Sequence, residues 1–279
     1  MTSSTAPSIP AACLLSAALL TGCTGDDTGQ VRLTTWGEEF IEQGIGAEEF
    51  EDRSSVRFDR FLIHLGGFSA RGPAGELNEA RSWLVNLVSP GPHALATVTA
   101  ASGQYDEIAY TVAPLTDDAE LHASATGEDR ALMEGGPYSV YVEGEAVHQG
   151  ASQRFAWGFS DTTEYVECQQ EVDGRLRPGF DVGVGGTTPV ELTIHGDHLF
   201  YDDLASESAV LRFAALAEAD ADENGEVTLD ELAAVSLIEL PADTYGTGNF
   251  SDVDDLGAFL RALTRTLGHF NGEGHCLPR

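Results

Sequence analysis

Eight short apolar runs dominate the first two hundred residues: 31–36, 56–65, 83–88, 94–100, 108–113, 138–147, 153–159 and 190–195. Most alternate with period two or are rich in β-branched and aromatic residues, and Gly and Pro clusters separate them. Pro90-Gly91-Pro92 and Gly135-Gly136-Pro137 are turn signals, while 47–54 and 66–80 read as connecting loops. Eight strands with no long helix between them predict a mainly β chain, built as an antiparallel β-sandwich over residues 31–200.

After Phe200 the period becomes helical. Val210, Phe213 and Ala217 predict a helix over 206–219. A second starts at Leu229, carries Leu232, Ala233 and Leu237 on one face, and stops at Pro241. A third runs over 252–267 on the stripe Leu256, Phe259, Leu260, Leu263 and Leu267, with Ser251 and Asp254 as an acidic capping pair and Gly268 at its end. Residues 201–279 therefore read as a C-terminal α segment.

Between the first two of these helices stands Asp220-Ala221-Asp222-Glu223-Asn224-Gly225-Glu226-Val227-Thr228-Leu229-Asp230-Glu231. Ca²⁺ is a hard ion that takes six to eight oxygens, and a 12-residue loop supplies them from positions 1, 3, 5, 7, 9 and 12. The stretch resembles an EF-hand at each of those positions. The resemblance implies Ca²⁺ held by Asp220, Asp222, Asn224, the backbone carbonyl of Glu226, Thr228 and a bidentate Glu231, with Gly225 at the sharp turn and Val227 anchored in the core. EF-hands pair through position 8, and no second complete loop is present, so a lone hand must lean on the rest of the protein. The alternative is an acidic helix-turn-helix that binds nothing.

The N-terminus carries an apolar run, 11–20, too short to span a bilayer, leading into Leu20-Thr21-Gly22-Cys23. That tetrapeptide resembles a bacterial lipobox. By that resemblance residues 1–22 are a signal peptide, Cys23 is lipidated and becomes the first mature residue, and 23–30 form a short polar tether. The chain would then be lipid-anchored in the cell envelope, at the outer membrane or cell surface, with Thr24 after the cysteine favouring the outer membrane. Cys168 and Cys276 would be the two remaining thiols, an even pair in an oxidising compartment, which predicts one disulfide.

Charge narrows the partners. There are 46 acidic residues against 14 basic ones, every basic residue is Arg, and the net charge is -32. Such a surface repels phosphate backbones and anionic lipid headgroups and excludes nucleic acid as a partner, while favouring divalent cations. The membrane enters only through the lipid, and the sequence leaves a protein or small-molecule partner open.

Four of the eight histidines fall in two segments, His195-Gly196-Asp197-His198 and 268–276, which holds His269 and His275. Imidazole is a preferred ligand of Zn²⁺ and Cu²⁺, so these four, with Asp197 or Glu273, form a candidate transition-metal site; the alternative is structural histidines bonded to carbonyls. His64, His93, His122 and His148 read as structural. No phosphate loop, nucleophile elbow, His-Glu-x-x-His or CxxC appears, and no residue is assigned to catalysis. Three functions follow in order: a Ca²⁺-stabilised, non-enzymatic envelope lipoprotein of binding or structural type; a periplasmic Zn²⁺ or Cu²⁺ protein; and a metal-assisted hydrolase.

Overall fold

The structure, a computed structural model, describes residues 1–2, 27–206, 208–242 and 244–279. Cys23 and nearly all of the leader lie outside these residues. The chain opens with β1 (Thr28–Trp36) and a one-turn helix α1 (Glu38–Glu42), followed by a long hairpin of β2 (Ser55–Gly72) and β3 (Gly75–Asn86). Next come β4 (His93–Ala101), β5 (Gly103–Tyr105), β6 (Glu107–Val112), β7 (Glu120–Leu121) and α2 (Gly127–Gly135). A second hairpin, β8 (Val140–His148) and β9 (Ala151–Phe159), precedes β10 (Thr163–Val172), β11 (Arg175–Pro178), β12 (Phe180–Val182) and β13 (Thr187–Ile194). The C-terminal part holds α3 (Ala214–Ala217), β14 (Glu226–Val227), α4 (Leu229–Ala234), α5 (Leu256–Leu263), β15 (Gly268–Phe270) and β16 (Gly274–Pro278).

The fold is mainly β, as the alternation implies, but the sheet is mixed where a purely antiparallel one was expected. One curled sheet runs in the order β14-β9-β8-β2-β6-β10-β16-β15-β13-β1-β4, and β1 with β13, β14 with β9, and β3 with β7 are parallel. Parallel pairing needs long crossovers, which a reading of adjacent segments does not reveal. The C-terminal strands β15 and β16 complete the middle of the sheet, between β13 and β10. The Cys168–Cys276 disulfide, S–S 2.03 Å, ties β16 to β10.

The expected loop over 66–80 is instead the turn end of the β2–β3 hairpin. Gly66-Gly67 looks like a break, yet the register shifts between Gly66 and Phe68 and the strand continues through a bulge, with Gly67 at φ +62°. β1 begins at Thr28, so the last residues of the expected tether belong to the sheet.

The helix expected over 206–219 shrinks to Ala214–Ala217. Asp202 accepts the backbone N–H of Val210 and pairs with Arg212, and Leu211 bridges to Phe50 and Tyr201, holding the preceding residues extended. Asp52 then accepts the N–H groups of Phe213 and Ala214, both at 2.7 Å, capping the helix from across the chain. α5 starts at Asp255, whose side chain accepts from Ala258, and not at the Ser251 pair. Its stripe Leu256, Phe259, Leu260 and Leu263 is buried as its spacing requires. Phe58, Phe155, Trp157 and Phe200 form an aromatic core beneath the 3-10 turn Gly196–Phe200. Each such side chain contributes about 1.5–3 kcal/mol of burial.

Candidate metal centre

Strand geometry brings two histidines to one face. His269 of β15 lies opposite Thr193 of β13, and His195 follows two residues after Thr193 on the same face, a diagonal cross-strand neighbour. Their rings stack with centroids 4.0 Å apart and planes 9° from parallel. The chain then enters the 3-10 turn, in which residues i and i+3 eclipse, so His198 returns above His195. The His198 ring stands edge-on to both, 5.4 Å from His195 and 5.0 Å from His269.

Two glycines permit this approach. A Cβ on Gly196 would lie 2.5 Å from Ile41 Cγ1, and one on Gly268 would lie 2.4 Å from the Tyr110 hydroxyl and from the Tyr165 ring. Beneath the site Tyr110 and Tyr165 stack at 4.9 Å, and the Tyr110 hydroxyl donates to the His269 carbonyl at 3.0 Å.

The three rings offer ligand nitrogens within 4.8 Å of one another. His198 Nδ1 is engaged by the Thr266 hydroxyl at 3.0 Å, which orients its ring, while His195 Nε2 and His269 Nδ1 are buried with no hydrogen-bond partner. Burial, then the other imidazoles around it, pushes His269 down to about 2. Burial also pushes His198 down to about 4, with Asp197 opposing and His195 adding. Both are neutral near pH 7, the protonation state in which imidazole ligates a metal. His64 Nε2 and His93 Nε2 are buried without partners as well, so it is the convergence of three imidazoles that sets this site apart.

His275, opposite His269 across β15 and β16, is exposed, with its ring 5.3 Å from His269; it lines the same cleft of about 920 Å³ but is outside the three-histidine group. Asp197, just after His195, accepts from the Tyr201 hydroxyl at 3.1 Å. Glu273 belongs to a second group with His195 and Glu38, a residue that no sequence signal singles out. The other four histidines are used elsewhere: His64 bonds the Ala113 carbonyl, His148 the Ser54 hydroxyl and His122 the Ser124 hydroxyl, while His93 packs edge-on against His122.

The acidic loop gathers a further group. Asp220, Asp222 and Glu231 place carboxylate oxygens within 4.8 Å of one another. Gly225 turns the loop at φ +78°, and its N–H donates to Asp220. The Asn224 amide oxygen accepts from the Glu226 N–H, and the Thr228 hydroxyl caps α4 in a reciprocal box with Glu231, so these two side chains bond within the loop. Glu226 and Val227 pair with Arg154 and Phe155 of β9, and Trp157 Nε1 donates to the Val227 carbonyl at 2.8 Å. The loop is thus joined in parallel to β9 of the main sheet.

No family model and no curated protein matches the chain. Among solved structures it is similar to MbnP from Methylosinus trichosporium, at 14% identity over 62% of this chain and 77% of that one, with a TM-score of 0.34.

Proposed function

We propose that this chain is a metal-binding protein of the cell envelope, whose centre holds a transition ion on His195, His198 and His269. What carries the reading is the convergence of three imidazoles, those of His195 and His269 buried, whose ligand nitrogens lie within 4.8 Å of one another. Zn²⁺ or Cu²⁺ suits this donor set. Binding or delivery of the ion is the role proposed, ahead of metal-assisted hydrolysis. In calorimetric titration of metal-stripped protein with Zn²⁺ or Cu²⁺, one ion binds per chain, and His198→Ala or His269→Ala abolishes that binding. A wild-type chain that takes up neither ion would sink the proposal.

The acidic loop is assigned a structural Ca²⁺ on Asp220, Asp222, Asn224, Glu226, Thr228 and Glu231, supported by its three converging carboxylates and by the docking of Val227 against β9. Lipid anchoring through Cys23 belongs to the same proposal. Fatty-acid labelling that persists in Cys23→Ser would remove it.

A further inference from the structure

Glu38 lies in a strained and specific position. It follows Gly37 with φ +56°, a left-handed conformation that costs a residue with a side chain on the order of 1–3 kcal/mol and persists only where the surroundings impose it. Three residues on, Ile41 is fully buried under Gly196, and α1 packs on the 3-10 turn that carries His198. The i, i+3 relation turns Glu38 to the same side as Ile41. Its Oε2 stops 3.7 Å from His195 Nε2, the nitrogen that has no partner.

That distance exceeds the usual hydrogen-bond range of 2.7–3.2 Å. It lies just above the spacing of two ligands on one ion: with bonds of about 2.0–2.1 Å, neighbouring ligand atoms stand roughly 3.3–3.6 Å apart in tetrahedral to trigonal arrangements. Glu38, His195 and Glu273 offer atoms within 4.8 Å of one another; this group is distinct from the imidazole group and shares only His195 with it, so Glu38 joins the centre through that shared residue with a rotation of its side chain on metal binding.

We propose that Glu38 is the carboxylate ligand that completes the three-histidine centre, and that it makes the centre select a divalent ion, Zn²⁺ or Cu²⁺, over Cu⁺. This rests on the metal-centre reading above. A carboxylate is a hard anionic donor whose attraction grows with the charge of the ion, whereas soft Cu⁺ gains little from it beyond what the imidazoles supply.

The experiment titrates metal-stripped wild-type protein, Glu38→Gln, Glu38→Asp and Glu273→Gln with Zn²⁺, with Cu²⁺, and anaerobically with chelator-buffered Cu⁺. Glu38→Gln keeps the side chain's size, so its metal-free melting temperature checks the fold. The expected result is a loss of about 10- to 100-fold in Zn²⁺ and Cu²⁺ affinity, the scale on which a metal site responds to its polar partners, with Cu⁺ affinity within about threefold of wild type. Glu38→Asp retains the charge and loses less than Glu38→Gln. Equal losses for all three ions, no loss at all, or a loss only in Glu273→Gln would overturn the assignment. If wild type binds none of the ions, it is the three-histidine centre that fails, and the two failures are told apart.

Discussion

At the scale of single residues, the buried histidines His64, His93, His195 and His269 each keep one ring nitrogen without a partner. His64 is buried, donates Nδ1–H to the Ala113 carbonyl at 2.8 Å and leaves Nε2 without a partner. Burial lowers its pKa below 6.5, with the Ala113 and Pro114 carbonyls and Asp118 opposing and Arg130 adding. A depressed histidine binds its proton in the unfolded chain first, so stability is full above pH 6.5 and falls as pH drops from there toward the folded-state value. The slope is at most about 1.4 kcal/mol per pH unit for one group. Urea denaturation between pH 7.5 and 5 should therefore show a shallower loss in His64→Gln than in wild type; parallel curves would mean that His64 protonates equally in both states. Unlike the spacing of His195 and His198, the convergence that sets His195 and His269 apart from His64 is not visible in sequence. It depends on which rings the fold brings together.

At the scale of elements, the lone acidic loop leans on the sheet. Val227 in β14 is completely buried and pairs beside Phe155, while Trp157 donates to its carbonyl. The Ca²⁺ proposed for the loop is expected to act on that bond through the Val227 backbone. Titration with Ca²⁺ in the range of about 10⁻⁴ to 10⁻³ M, common for extracellular sites, should shift Trp157 emission and raise the melting temperature. Glu231→Gln abolishes both effects, and Trp157→Phe abolishes the emission change alone. Unchanged emission and melting temperature at millimolar Ca²⁺ would leave the loop a capped turn. The apolar stripe of α5 is legible because 3.6-residue periodicity is a local property. The shortening of the helix expected over 206–219 is not, because Asp52, some 160 residues away in sequence, supplies its N-terminal acceptor.

At the scale of the whole molecule, the C-terminal tail is part of the sheet that carries the three-histidine cluster. β15 brings His269, β16 joins it to β10, and Cys168–Cys276 closes a separation of 108 residues. Loop-closure entropy for a ring of that size is worth about 4–5 kcal/mol. Removing both thiols in Cys168→Ala/Cys276→Ala should lower unfolding stability by roughly 2–5 kcal/mol. It should also weaken Zn²⁺ binding, because His269 then sits on a less constrained strand. Loss of stability with unaltered Zn²⁺ affinity would show that β15 holds its register without the bridge. The amino-acid sequence by itself determined the β-rich class, the stripe of α5, the thiol pair and the four histidines from which the centre draws, since these depend on periodicity, composition and chain-local spacing. Only the tertiary structure decided that β1 and β13 run parallel, that His275 stands outside the triad and that Glu38 faces His195. Those outcomes depend on long-range pairing and close glycine contacts, which no local pattern encodes.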